Sequence, residues 1–191
     1  MAEPGTRDRI LEATAELYRR QGMSATGLKQ ISGAAKAPFG SIYHHFPGGK
    51  EAITAEVIRC EGVRYGAFVG AQLAHTDPAT GIPALFVSAG ELMASQDYGE
   101  ACSIETIALE VASTNEVLRQ ESATVFEGWL SGLAAWFAQL DVTEEQSRRM
   151  ALITLTALEG AFVLCRTLRS VEPVVAAGHG VQAAVSAILA E

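Results

Sequence analysis

At 191 residues and 49% hydrophobic content, the chain has enough apolar material for one compact domain, or for a small and a medium one. Six prolines and scattered glycines exclude a collagen-like or disordered composition. A net charge of −8 excludes nucleic-acid binding over the whole surface, but residues 1–60 carry 8 Lys and Arg against 6 Asp and Glu while residues 61–191 carry 6 against 16, so only the amino-terminal segment suits phosphates.

Every segment reads as helix, and no strand alternation is evident, so the fold class is all-α. Residues 6–21 place Ile10, Ala13, Leu17 and Tyr18 on one face, with Gly22 as the stop. In the next helix, Thr26 is a candidate N-cap and Leu28, Ile31, Ala34 and Ala35 form the apolar side. A tight turn then leads to Pro38, which suits the start of a second short helix anchored by Ile42 and Phe46, four residues apart. Residues 48–74 predict a longer helix with Ile53, Val57, Cys60 and Phe68 running inward.

The Asp77-Pro78 and Gly81-Ile82-Pro83 stretch is turn chemistry. Helices over 83–95 and 100–112 flank a Gln96–Gly99 turn, and an aromatic-rich helix spans 114–140. Thr143 and Gln146 form a capping box that opens a helix running to about Ser170, and Pro173 restarts the chain for the last one. The uncharged stretch 173–190 contains His179, Gln182, Ser186 and two glycines, which predicts an interface helix and not a membrane span. The start Met-Ala-Glu-Pro-Gly-Thr-Arg-Asp-Arg has no apolar run, so no signal peptide is expected and the predicted location is the cytoplasm. Cys60, Cys102 and Cys165 are odd in number, far apart and outside any metal spacing, as in a reducing compartment.

Two short helices around a tight turn, the second rich in outward hydrogen-bonding side chains, form a helix-turn-helix pattern, whose second helix enters the major groove of DNA. The stretch Gly22–Thr26, Ile31, then Gly40-Ser41-Ile42-Tyr43-His44-His45-Phe46 with Lys50-Glu51 resembles the DNA-binding end of TetR-family transcriptional repressors. The run from Ala37 through Pro47-Gly48-Gly49-Lys50-Glu51 resembles the LmrA/YxaF-like branch, and so does Asp97–Ile104, where Ala101 and Ser103 depart from that branch's pattern. Phe39 stands where the family usually has a basic or small polar residue, and Lys36 where the turn usually has glycine.

The resemblance implies a three-helix DNA-binding lobe over residues 1–50, a linking helix at about 48–74, and a larger helical ligand-binding and dimerisation domain over 51–191. Thr26, Tyr43, His44 and Lys50 suit phosphate oxygens, and Lys36 adds charge from the turn. Ser41, with the close approach that Gly40 allows, suits a base edge; Pro38 suits a thymine methyl, and Phe39 either does the same or removes one backbone contact. His45 is expected to support the lobe from inside.

The family body implies a small-molecule cavity, here with Phe68, Met93, Tyr98, Cys102, Glu105, Phe126 and Trp129 as walls and Glu105 or Tyr98 as polar anchor. The same aromatic stripe, Trp136 included, also reads as plain core. Residues Ile153, Ala157, Gly160, Ala161, Leu164 and Leu168, with Val181, Val185 and Ile188, imply a four-helix dimer interface, or else intramolecular core. Gly66-x-x-x-Gly70 and Gly128-x-x-x-Gly132 are expected to permit close helix packing.

No nucleophile elbow, P-loop, dinucleotide fingerprint or metal-spaced His/Cys set is present, so no enzyme, cofactor or metal is expected. The expected function is a ligand-responsive repressor that binds a palindromic DNA operator as a homodimer and is released by an apolar or aromatic effector. The rival is a helical small-molecule-binding or scaffolding protein without sequence-specific DNA binding.

Overall fold

In the computed structural model, which describes residues 5–100 and 102–191, every regular element is a helix. In chain order these are α1 (Thr6–Gln21), α2 (Leu28–Ala34), α3 (Phe39–His45), α4 (Gly49–Leu73), α5 (Ile82–Ser95), α6 (Ser103–Val111), α7 (Glu116–Phe137), α8 (Glu144–Leu168) and α9 (Glu172–Leu189). Residues 1–4, where the leader reading begins, and Ala101, within the branch signature, lie outside the described residues. The helices form two compact units that interleave along the chain: Met1–Val63 with Cys102–Val125, and Arg64–Ala101 with Phe126–Glu191.

The first unit packs α1 against α2, α3 and α6. The buried side of α1 is Ile10, Leu11, Thr14, Ala15 and Tyr18, rotated from the face expected through Ala13 and Leu17. Thr14 is tolerated inside because its hydroxyl donates to the Ile10 carbonyl at 2.6 Å. The Thr54 hydroxyl is spent on the Lys50 carbonyl at 2.7 Å, so Tyr18 donates to Thr54 across 2.8 Å. Burial pushes the Tyr18 phenol up to about 12. On α4, Ile53, Val57 and Ile58 are buried, whereas Cys60 is exposed; the inward row expected at Cys60 passes instead through Gly62, buried against Val125.

The second unit is built on α9, which packs on both α5 and α8. Its close approach to α5 runs through Gly178, where a Cβ would lie 2.7 Å from Phe86 Cβ, and Gly90, where one would lie 2.7 Å from Val174 Cγ1. Of the four glycines expected to pack closely, Gly66 does, with an added Cβ 3.2 Å from Trp129 Nε1, whereas at Gly70, Gly128 and Gly132 an added Cβ meets nothing within 4 Å. The Thr143–Gln146 capping box opens α8, with Gln146 N–H donating to Thr143 Oγ1 at 3.2 Å and Thr143 N–H to Gln146 Oε1 at 2.9 Å. By length and composition, α8 is the helix among the described residues apolar enough to cross a membrane. One side of it, including Met150, Leu158, Phe162 and Cys165, is core of this unit.

Candidate functional site

The α2–α3 turn explains how the second short helix is presented. Ala37 N–H donates to the Ser32 carbonyl at 3.1 Å and Lys36 N–H to the Gly33 carbonyl at 3.2 Å, the paired bonds of a Schellman stop. That stop needs a left-handed residue, and Lys36 supplies it at φ 49° where glycine would be unstrained. Pro38 then caps α3 with φ −55°, one position before the first helical turn. Ile42 and Phe46 are buried, and Arg7 lies 5.5 Å over the Phe46 ring.

With that side anchored, α3 exposes Phe39 (43%), Gly40, Tyr43 (50%) and His44, and leaves Ser41 and His45 half-buried. Phe39 and Tyr43 meet edge to face, ring centroids 5.8 Å apart, and His44 meets His45 at 4.9 Å. Lys36 and Pro38 are exposed beside them. Lys50, in the first turn of α4, is half-buried; burial lowers its pKa, and the charge of Glu110 opposes that.

Thr26 is a correction. Its side chain is fully buried, its hydroxyl donating to the Gly22 carbonyl at 2.7 Å and accepting from Gln21 Nε2 at 3.0 Å. The cap of α2 is Gly27, so the Thr26 hydroxyl is internal to the α1–α2 turn and is not a phosphate ligand.

Sequence reasoning missed Glu110. From α6 its carboxylate accepts from Met23 N–H at 3.0 Å and Ser24 N–H at 2.6 Å, and also bonds the Ser24 hydroxyl. It occupies the space that a Cβ on Gly22 (φ 81°) would need. No local pattern signals a pair this distant in the chain.

The second unit holds a partly open cavity of about 480 Å³, within the usual range for small-molecule sites. The carboxyl-terminal parts of α4 and α7 line it with Tyr65, Gly66, Val69, Gly70 and Leu73, and with Gly128, Trp129, Gly132, Leu133 and Trp136. Leu85 of α5 and Thr154, Leu155 and Leu158 of α8 complete the apolar walls, and Gln139 adds a polar edge. Among the described residues, no charged side chain lines it. The Thr154 hydroxyl is spent on the Met150 carbonyl at 2.8 Å. The two glycine pairs face this space, so they hollow it out.

Of the seven wall residues expected from sequence, Trp129 alone lines this cavity. Phe68 is exposed, Phe126 meets Trp129 edge-on at 5.6 Å without reaching the space, and Met93 is buried on α5. Tyr98 sits in the α5–α6 turn with φ 55°. Cys102 caps α6, accepting from Glu105 N–H at 3.5 Å. Both Cys102 and Glu105 belong to the first unit. Burial raises the Glu105 carboxyl.

The expected interface residues divide likewise. Gly160, Leu164 (52% exposed) and Leu168 (63%) lie on the outer side of α8, joined by Leu152 and Val163, which the sequence reading did not name. Ile153 and Ala157 are half-buried. Ala161, Val181, Val185 and Ile188 are a correction: they are buried in the unit's own core, because α9 uses that side against α5 and α8.

Comparison with known proteins assigns the arrangement. Residues 10–57 match the bacterial regulatory proteins of the tetR family, and residues 78–179 match the C-terminal domain of LmrA/YxaF-like transcriptional regulators. The chain is 29% identical over 175 residues to the HTH-type transcriptional regulator LmrA of Bacillus subtilis (strain 168), covering 91% of this chain and 93% of that one. It is 27% identical over 169 residues to the uncharacterized HTH-type transcriptional regulator YxaF of Bacillus subtilis (strain 168), covering 88% of each. A solved TetR transcriptional regulator from Legionella pneumophila shares the fold, with a TM-score of 0.84 at 21% identity over 96% of this chain and 99% of that one. The chain is a transcriptional regulator and belongs to the TetR family, in its LmrA/YxaF-like branch.

Proposed function

We propose that the chain represses transcription by gripping a palindromic operator as a homodimer and lets go when an apolar or aromatic effector fills the cavity. The observation that carries this reading is α3, anchored inward by Ile42 and Phe46 while Phe39, Tyr43 and His44 face outward. Residues 1–50 would be the DNA-binding domain, with Lys36, Tyr43, His44 and Lys50 on phosphates and Ser41 at a base edge. Residues 51–191 would hold effector and partner.

An operator with two-fold symmetry matches a protein with the same symmetry. The apolar stripe Leu152–Gly160–Leu164–Leu168 on α8 supports that dimer, because a row of exposed leucines is costly to leave in water. The uncharged cavity lining supports a neutral effector. Helix α4 carries Lys50 near its start and Tyr65–Leu73 along the cavity, so a filled cavity would re-aim the helix that seats the reader. An effector that prefers the DNA-incompetent shape a hundredfold shifts the equilibrium by about 2.7 kcal/mol.

Selecting bound fragments from the parent genome should return a sequence with two-fold symmetry, and an effector should release it. A well-folded protein that enriches no sequence would favour the small-molecule-binding alternative. Leu164→Arg places a charge in the stripe at a cost on the order of several kcal/mol to association, so it should sediment as monomer and lose the operator. A parent protein that sediments as monomer at micromolar concentration would contradict the dimer.

A further inference from the structure

The reader helix, Phe39–His45, contains no Arg, Lys, Asn or Gln. Those side chains make the paired hydrogen bonds that read guanine and adenine in the major groove. What α3 offers outward is one exposed hydrocarbon ring, a hydroxyl, a phenol and an imidazole.

Phe39 is the first residue of the helix, and in this motif the amino-terminal residues of the reader helix reach the base edges. Its ring is 43% exposed, but Tyr43 supports it from one side at 5.8 Å with planes 69° apart. Pro38 precedes it with φ −55° and no N–H to donate. At Gly40 an added Cβ would meet nothing within 4 Å, so that flank is open to a close groove wall. A held, exposed apolar ring matches one feature of the major groove, the 5-methyl group of a pyrimidine.

We propose that Phe39 is a specificity-determining residue that reads a thymine methyl in each half-site, with Tyr43 as the buttress of its ring. This rests on the DNA-binding reading given above. The first step of the test selects a duplex from random sequence with the full-length protein. Each thymine is then replaced singly by deoxyuridine, which removes only the methyl.

At one thymine per half-site the replacement should weaken binding about fourfold, the worth of one buried methyl. Phe39→Ala should bind the thymine and deoxyuridine duplexes equally, and Phe39→Leu should keep part of the difference. The deoxyuridine series on the parent protein needs no variant to fold. If no position responds to methyl loss, or if the response persists unchanged in Phe39→Ala, the proposal is overturned while DNA binding stands. If no duplex is enriched at all, the DNA-binding reading fails and this proposal falls with it.

Discussion

In the first unit, segments far apart in the chain are tied by charged and polar side chains: Arg19 to Glu61 at 2.7 Å, Arg7 to Glu56 at 2.6 Å, and Glu110 to the α1–α2 turn. In the second, α5 and α9 meet through glycines and apolar faces around a cavity, and ion pairs such as Arg148 with Glu127 sit among exposed atoms. The unit holding α3 therefore answers to charge, and the unit holding the cavity answers to volume. Arg19–Glu61 is largely buried, but partly exposed pairs such as Arg7–Glu56 contribute little each, so the leverage of the first unit lies in geometry more than in total stability. Apolar packing has the opposite character: one methyl in the wrong place is felt through the whole unit.

The largest effect expected from this contrast is at Gly178. Gly178→Val should destabilise on the order of 3 kcal/mol in denaturant unfolding, because the new side chain meets Phe86 across a packed seam. Gly132→Ala should be neutral or stabilising by about 0.5–1 kcal/mol, since its Cβ enters open space and the helix gains propensity. Equal costs at the two glycines would dissolve the distinction between seam and cavity.

Next in size is Glu110→Ala, which strips the acceptor from two backbone N–H groups at the α1–α2 turn and should cost about 1.5 kcal/mol. Hydrogen exchange at Met23 and Ser24, in the α1–α2 turn, should speed up more than exchange within α1. Unchanged exchange there would mean the carboxylate does not hold the turn.

A smaller change is expected at Lys36→Gly. Relief of the left-handed strain, partly offset by glycine's greater chain entropy, should stabilise by about 0.5 kcal/mol. DNA affinity should fall nonetheless, with a salt slope shallower by about one unit per lobe. The smallest effect concerns Glu56, whose carboxyl is held below the usual range by hydrogen bonds from Arg59 and Arg7. Its contribution is present above the unfolded-state value and is lost as pH falls through the lower folded value. Glu56→Gln should therefore cost a little stability at neutral pH, where the carboxylate is ionised, leave the acid end unchanged, and so flatten the profile below about pH 4.5.

Local signals were legible in the sequence. The capping box at Thr143 and Gln146, the stop at Gly22, and the Ile42–Phe46 anchor each involve residues within four positions of one another, and the helices follow from them. The exposed face of α3 was legible for the same reason, whereas Thr26 turned inward onto Gly22 and Gln21. Spacing alone cannot tell a glycine that lets helices touch from one that leaves a hole, so Gly128 and Gly132 were read as seam when they line the cavity. Nor does an apolar helix face say whether it meets its own chain or another copy, which is why Ala161 and Val185 read as interface or core alike and Leu152 and Val163 passed unnamed. Glu110 was beyond reach because its partners lie more than eighty residues away.

The central claim, that the outward face of α3 reads a specific duplex, is tested most directly by fluorescence anisotropy of a labelled duplex selected from the parent genome. Its titration across a salt series would be set against a scrambled duplex of the same composition. The account predicts an affinity that falls linearly with salt on logarithmic axes and exceeds that of the scrambled duplex by about a thousandfold. Equal affinity for the two duplexes at every salt concentration would contradict it.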